Sequence, residues 1–506
     1  MAVNQAAAPK AAVGRVRHLS LNERLAQGTV ARERTPLSSH SGWGAAVDRP
    51  DPVGLLEQQD KTREPDLVPV RHGRMMVSPF TFYRGAAKIM AVDLKDTPVA
   101  GLRVQLCGDA HLSNFGMFAS PERRLMFDLN DFDETLPGPF EYDVKRMAAS
   151  FVIAGQNNGF SKADARAVAL ASVAAYRDAM AEFAQMPTMD LWYAHFDEDR
   201  LQQIIQGAVA GAAKEEKKDK KAKAPKKKDQ KDVKQDKVVK EAAKRAEKNI
   251  GKAHTRDSIQ ALSKLGEQVD GQYRIVSQPP VIVPARDLAA TYGLSPDDVL
   301  PVLHDQFRAY RATLQDDRRK LLEKFRIVDA ARKVVGVGSV GTRAFIILLQ
   351  GRDAQDPLFL QVKEATASVL EASLPRSRYR QHGERVVQGQ RMMQAASDIF
   401  LGWTKGVDVR RHFYWRQLRD MKGSAEIELM APVTLTYYAQ ICGWTLARAH
   451  ARSGDCVAIA EYMGHDDTFD RSIVDFCERY ASRNEQDYEE FVKAVRAGRL
   501  EAVEGV

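Results

Sequence analysis

The spacing of apolar residues divides the chain into stretches of period near 3.6, stretches that alternate, and stretches with neither pattern. Residues 1–70 are of the last kind. They are rich in Pro, Arg and small residues and predict an extended or loosely packed arm. FTFYRGAAKIMAVDL (80–94) has helical spacing. LRVQLC (102–107) alternates, predicts a short strand and leads into GDAHLSN. NFGMFA and RLMFDL, with ASPER at the turn, predict a hairpin. From 142 to about 186 the helical period returns in YDVKRMAASFVIAG and KADARAVALASVAAYRDAMAEFA. Later, DDVLPVLHDQFRAYRATL reads as a helix. KVVGVGSVGTRAFIILLQ and PLFLQVKEA carry strand-type runs separated by a polar turn. ERVVQGQRMMQAASDIF is a helix, HFYWRQL a strand, and YYAQICGWTLARAHARSG an amphipathic helix; the last forty residues are helical again. The pattern predicts an α+β class, with a small β-rich unit at about 326–425 and helical material on both sides.

Composition changes this picture in one place. A length of 506 residues allows two lobes and a sizeable core, and 44% hydrophobic with 28% charged residues is ordinary for a globular protein. The net charge of +8 invites a nucleic-acid reading. Between Lys214 and Lys248, however, 16 Lys and Arg face 8 Asp and Glu, so that run carries the whole +8. Such a low-complexity run reads as a solvated, flexible or partly helical connector, and no specific nucleic-acid partner is predicted. Four scattered cysteines without CxxC spacing argue against a disulfide framework or a structural zinc site. No apolar run approaches the roughly 20 residues needed to span a bilayer, and the N-terminus lacks a signal-peptide core. A cytoplasmic protein without membrane contact is expected.

The candidate chemistry lies in three places. GVGSVG (336–341) is weak alone, but it falls between strand-type runs and is followed by a strand ending near Lys363. A dinucleotide site would put a helix there instead. Glycine loop, strand, then strand-borne lysine is the phosphate-covering hairpin of a kinase. The backbone around Gly336, Gly338, Ser339 and Gly341 would approach phosphate oxygens, and Lys363 would place a cation on them. A plain glycine-rich turn is the competing reading. Asp109 and Asn114 have the D-x-x-x-x-N spacing of a kinase catalytic loop, with His111 between them. Asp131 follows Asn114 by 17 residues, flanked by Asp128 and Asp133. Mg²⁺ prefers such oxygen ligands, one or two carboxylates together with phosphates.

GDAHLSN resembles the catalytic loop GDxHxxN of the aminoglycoside phosphotransferase and choline kinase branch of the protein-kinase-like superfamily. NDFDETLPGPFEYDVKRMAAS resembles that branch's metal-binding segment. The resemblance implies a two-lobed kinase-like fold, ATP and Mg²⁺, Asp109 and Asn114 as catalytic residues, and Asp131 as metal carboxylate with Asn114 and Asp133 beside it. It also makes Asp143 a structural residue of the catalytic loop. The chain as a whole, over about 50–500, is identified as a member of the bacterial domain-of-unknown-function family 2252. The phrases SPFTFYRG, GDAHLSNFG, FDLNDFDET, GVGSVGTR, FLQVKEA, QAASDIFLGW and LARAHARSGD carry that identification.

Two departures stand out. Cys107 occupies the place of the usual His before Gly-Asp. The catalytic loop and metal Asp also precede the glycine loop by more than 200 residues, the reverse of kinase order. A circular permutation reconciles the order, with the connector near 205–326 joining the old ends; a flexible stretch of about 35 residues reaches roughly 30 Å.

The organisation expected is an arm (1–70), a helical-lobe segment with catalytic and metal loops (71–205), a lysine-rich linker (206–250) and a connecting helical segment (251–325). A β-rich nucleotide-binding lobe (326–425) and C-terminal helices completing the large lobe (426–506) follow. Glu384 is the expected partner of Lys363, with Gln388 and Glu371 as alternatives, and the adenine is expected near RQLRDMKG (416–423). Arg84 is expected to touch phosphate or cap its helix. Lys145 and Arg146 are expected to pair with Asp or carbonyl groups, and His450 to be packed. The function expected is phosphoryl transfer from ATP to an unidentified hydroxyl acceptor, with nucleotidyl transfer using the same residues. The alternatives are a nucleotide-binding regulatory module without transfer, and a metal-dependent hydrolase built on Asp109, His111, Asp128, Asp131 and Asp133.

Overall fold

Four short strands carry the chain around the GDAHLSN loop: β1 (Arg103–Leu106), β2 (Phe115–Ala119), β3 (Leu125–Leu129) and β4 (Leu136–Pro139). This is a computed structural model and describes residues 17–207, 230–269, 271–334, 336–418 and 420–505. β1 pairs antiparallel with β4, and β2 with β3 as the expected hairpin, with Phe115 opposite Leu129. β5 (Phe196–Asp197) extends the free edge of β3. β6 (Gly266–Val269) and β7 (Gln272–Ile275) form a separate two-stranded unit.

The class is α+β, as the patterning predicts. The main sheet contains β8 (Ile282–Pro284), β9 (Arg326–Lys333), β10 (Ala344–Gln350), β11 (Pro357–Ala365), β12 (Gly402–Lys405) and β13 (His412–Gln417). Its order is β12-β13-β11-β10-β9-β8 and every pairing is antiparallel. Both faces are covered, which is why these strands read as near-continuous apolar runs. One face packs Leu360 and Trp415 against Phe307 and Tyr310 of the Val299–Arg311 helix, with the Tyr310 and Trp415 rings stacked at 4.5 Å. The other presents Ile346, Leu348 and Phe359 to the Ser258–Leu265 helix. Between β11 and β12 the His382–Met393 helix sends Val386, Val387 and Met393 into the main helical core.

That core gathers the Phe140–Asn157, Lys162–Gln185, Pro432–Ala451 and Thr468–Arg496 helices. Phe151, Ile153, Leu446 and Phe469 are fully buried there, each contributing roughly 1.5–3 kcal/mol of transfer free energy. No helix among the described residues is long and apolar enough to cross a membrane.

Two expectations need correcting. The arm is not loose from residue 21 onward. Leu21–Arg34 is a helix with a Ser20–Glu23 capping box, and Pro52–Asp60 is a second helix. The first packs through small residues: a Cβ on Gly28 would meet the backbone of Ala458. Contact through Gly28 and Ala31 leaves no apolar stripe to read. Residues 80–94 form two helices, Pro79–Gly85 and Ala87–Leu94. The break follows from Arg71, which donates to the Gly85 carbonyl at 3.0 Å. The lysine-rich linker lies partly outside the described residues, at 208–229; Gln230–His254 is helical, and Val239 and Ile250 on it are buried.

Candidate active site

The catalytic-type loop is fastened from below. Gly108 adopts φ 85°, and a Cβ there would strike the Glu134 carbonyl, so only glycine fits. Asp143, in the first turn of the Phe140–Asn157 helix, accepts the backbone N–H groups of Cys107 (2.8 Å) and Gly108 (3.0 Å). His450 Nε2 stands 3.2 Å from the same carboxylate, and its Nδ1 is held by Tyr176 at 2.9 Å. His450 is thus a packed histidine. Cys107 is fully buried and fills the place of a histidine with an apolar group, and burial pushes its thiol pKa well up.

Above this support, Asn114 Nδ2 donates to the Asp109 carbonyl at 2.7 Å, which leaves its Oδ1 as an open acceptor. The Asp109 carboxylate accepts from Arg146 Nε at 2.8 Å. Burial raises the Asp109 pKa, and Arg146 offsets only part of that. The Arg146 guanidinium itself lies over the Tyr83 ring, 3.8 Å from its centroid. His111 is buried; its Nδ1 accepts from the Ser113 N–H at 3.2 Å, and burial, then Arg84 and Arg146, push its pKa well down, so it is a neutral positioning group.

The backbone ties this loop to the acidic segment, since the Asn130 N–H donates to the Asn114 carbonyl at 2.8 Å. Asp133 receives Lys363 Nζ at 2.7 Å, the Tyr414 hydroxyl at 2.7 Å and the Ser339 hydroxyl at 3.2 Å. Burial opposes its ionisation, but Lys363 and Tyr414 outweigh burial and lower its pKa. Lys363 is only 2% exposed and also lies 3.7 Å from Asp131. Burial disfavours its charge, and the two carboxylates more than restore it. Asp131, 30% exposed, is the carboxylate left facing the opening.

These groups line one cleft of about 570 Å³, within the range of small-molecule sites. Asp109, His111, Asn114, Asp131, Asp133, Gly336, Gly338, Ser339 and Lys363 all border it. The glycine loop forms a tight turn at Val337–Ser339 between β9 and β10. Gly341 has φ 89° and its carbonyl accepts the Glu64 N–H, so it anchors the loop away from the cleft. Four cations line the cleft from the helical side and its neighbours (Arg63, Arg84, Arg256, Lys264) and four from the sheet side (Lys333, Lys363, Arg416, Lys422). The acids among the lining residues are Asp109, Asp131, Asp133 and Glu134. Lys422 is pressed by Arg416 and by burial to a pKa of about 7.

Some expected residues lie elsewhere. Glu384 does not pair with Lys363, whose carboxylate partners are Asp131 and Asp133. The helix phase explains this: Arg385, not Glu384, turns inward and donates to the carbonyls of Asp133, Thr135 and Thr366. Asp128 is buried with Arg448 as an ion pair and accepts the Ala395 N–H, so it is structural. The backbone expected to read adenine is already engaged: Leu418 donates to Phe359, Met421 to Arg256 and Gly423 to Met117. Among the described residues no three His, Cys, Asp or Glu side chains are grouped to hold a metal ion. Sequence reasoning missed Tyr414, Arg416, Lys422 and Arg63, which carry no motif of their own; only the basic residues of RQLRDMKG hinted at them.

The family model described as an uncharacterized protein conserved in bacteria (DUF2252) matches residues 63–237 and 212–494. No curated protein and no solved structure matches the chain. The two matched segments between them take in the catalytic-type loop, the acidic segment, the glycine loop and Lys363, and on that coverage the chain belongs to the DUF2252 family.

Proposed function

We propose that the cleft is the active site of a kinase-like phosphotransferase with circularly permuted motifs, moving a phosphoryl group from ATP to a hydroxyl acceptor. One observation carries this reading. The 109–114 loop, Asp131, the 336–339 loop and Lys363, more than 200 residues apart in the chain, border the same cleft. Topology supports it: a glycine loop joins β9 to β10, the lysine sits on β11, and a helix follows before β12 and β13. So does Asp143, which fixes the backbone of the catalytic-type loop.

In this reading the backbone N–H groups of residues 336–338 and Lys363 hold the phosphates. The oxygen set of Asn114 Oδ1 and Asp131 suits Mg²⁺, which prefers hard oxygen donors. When bound, Mg²⁺ neutralises charge on the phosphates. Asp109 orients the acceptor hydroxyl and takes its proton as the new O–P bond forms and the bond to ADP breaks. The raised pKa of Asp109 suits a group that must gain a proton.

A second reading, a nucleotide-binding module without transfer, has one observation in its favour: Arg146 occupies one oxygen of Asp109. Calorimetric titration of ATP with and without Mg²⁺, on wild type and Asp131→Ala, tests the shared premise. Mg²⁺-dependent binding lost in the variant is expected. Absence of nucleotide binding by wild type removes both readings, and binding without turnover of ATP in the presence of any hydroxyl acceptor favours the second.

A further inference from the structure

Mg·ATP does not balance the charge of this cleft. Eight Lys and Arg side chains face four carboxylates there, and Mg·ATP, a dianion, would leave positive charge unmatched. Four of the cations are held by protein groups. Lys363 is held by Asp131 and Asp133. Arg416 donates to Gln361 and the Asn130 carbonyl. Arg63 is committed to the Gly338 and Val340 carbonyls, and Arg256 to that of Lys422.

Arg84 differs. It sits near the end of the Pro79–Gly85 helix, against the tip of the glycine loop; a Cβ on Gly338 would stand 3.2 Å from the Arg84 carbonyl. It borders the cleft together with Asp109 and His111, and its charge acts with those of Asp109, His111 and Glu428. Its Nε is buried without a hydrogen-bond partner, and among the described residues its guanidinium makes no ion pair. A buried N–H left without a partner costs free energy that a ligand would recover.

We infer that Arg84 binds an anionic group on the acceptor, a carboxylate or a phosphate, and so places the acceptor hydroxyl beside Asp109. The inference rests on the phosphotransferase reading and deepens it. The planar fork of arginine matches both oxyanions bidentately. A surplus of cations near the acceptor also turns the site away from polycationic, aminoglycoside-like substrates.

The test loads the full chain with Mg²⁺ and β,γ-imido-ATP, then titrates glycerol 3-phosphate, glycerate and neutral glycerol calorimetrically. Wild type is expected to bind at least one of the two anions with Kd below about 1 mM, and not glycerol; which anion binds identifies the oxyanion. Arg84→Gln is expected to weaken that anion at least about tenfold, the loss of one charge-assisted contact, while nucleotide affinity stays within about twofold and so reports an intact fold. The inference is overturned if neither anion binds loaded wild type, or if the variant binds the anion equally well. It is also overturned if the variant loses nucleotide affinity instead, since Arg84 would then serve the ATP phosphates. Failure of wild type to take up the nucleotide is read in the loading step and sinks the phosphotransferase reading itself.

Discussion

Lys363 Nζ lies 2.7 Å from Asp133 Oδ2, joining β11 to an acidic loop 230 residues earlier in the chain. With Lys363 2% exposed, the pair is one of the joints between sheet and helical body. Losing one partner of a fully buried pair costs about 3–5 kcal/mol. Asp133 keeps some solvent contact, so Lys363→Met and Asp133→Asn are each expected to cost about 1–3 kcal/mol. The double variant is expected to cost less than the two together, because neither charge is then left alone. Chemical denaturation of the four proteins measures the coupling, and simple additivity would show that sheet and helical body are held otherwise.

Asp109 is positioned by its neighbours and not merely exposed to the cleft. Its carbonyl accepts from Asn114 and its carboxylate from Arg146. Asp109→Asn preserves this shape and removes the proposed base. Turnover is expected to fall roughly 10²- to 10⁴-fold, with nucleotide affinity nearly unchanged. Single-turnover kinetics alongside calorimetry separate the two effects; a variant that turns over like wild type would remove Asp109 from the chemistry.

Much of this cleft is legible in the chain because its polar groups come from short local segments at fixed spacing. Asp109, His111 and Asn114 belong to one loop, and Asp131 and Asp133 to another. Lys363 is legible from strand patterning alone. Its partner is not, because that depends on how two distant segments meet. Helix phase decides that Arg385 rather than Glu384 faces the loop, and an error of one residue, about 100° of rotation, misassigns the pair. Asp128 looks like a member of the acidic cluster until Arg448, 320 residues later, is seen to bury it. The Leu21–Arg34 helix escapes a periodicity search because Gly28 and Ala31 make its contacts. The basic lining of the cleft comes from six separate segments and leaves no local trace.

Lys422 makes the proposed nucleotide site sensitive to pH. Arg416 and burial hold it at a pKa of about 7, below its ordinary 10.5. The folded chain therefore binds fewer protons than the unfolded chain between those values, and this group's contribution to stability is lost as pH falls through that window. Phosphates arriving beside it favour the charged form and raise its pKa. At pH 8 nucleotide binding is expected to take up about one proton, and affinity to weaken as pH rises above 7. Titrations in buffers of different ionisation enthalpy measure the uptake. Lys422→Met is expected to abolish it, and no uptake in wild type would place the phosphates away from Lys422.

The glycines of the 336–341 loop answer to different demands, and that difference is testable. Gly341 needs its hydrogen side chain: φ is 89°, and a Cβ would stand 2.9 Å from Arg63 Cβ. Gly341→Ala is expected to cost about 1–2 kcal/mol from the left-handed backbone alone. Gly336 has φ −58° and ψ 162°, open to any residue, and nothing lies within 4 Å of a Cβ placed there. Neither backbone nor packing calls for glycine at that position, yet it borders the cleft beside Ser339 and Lys363. In the proposed reading, close approach of a phosphate to the backbone is the demand on this glycine. Gly336→Val is therefore expected to leave stability within about 0.5 kcal/mol of wild type and to weaken Mg·ATP at least about tenfold, one lost phosphate contact's worth. Denaturant unfolding and calorimetry on the two variants separate anchoring from ligand contact, and a Gly336→Val protein that binds Mg·ATP normally would move the phosphates off this loop.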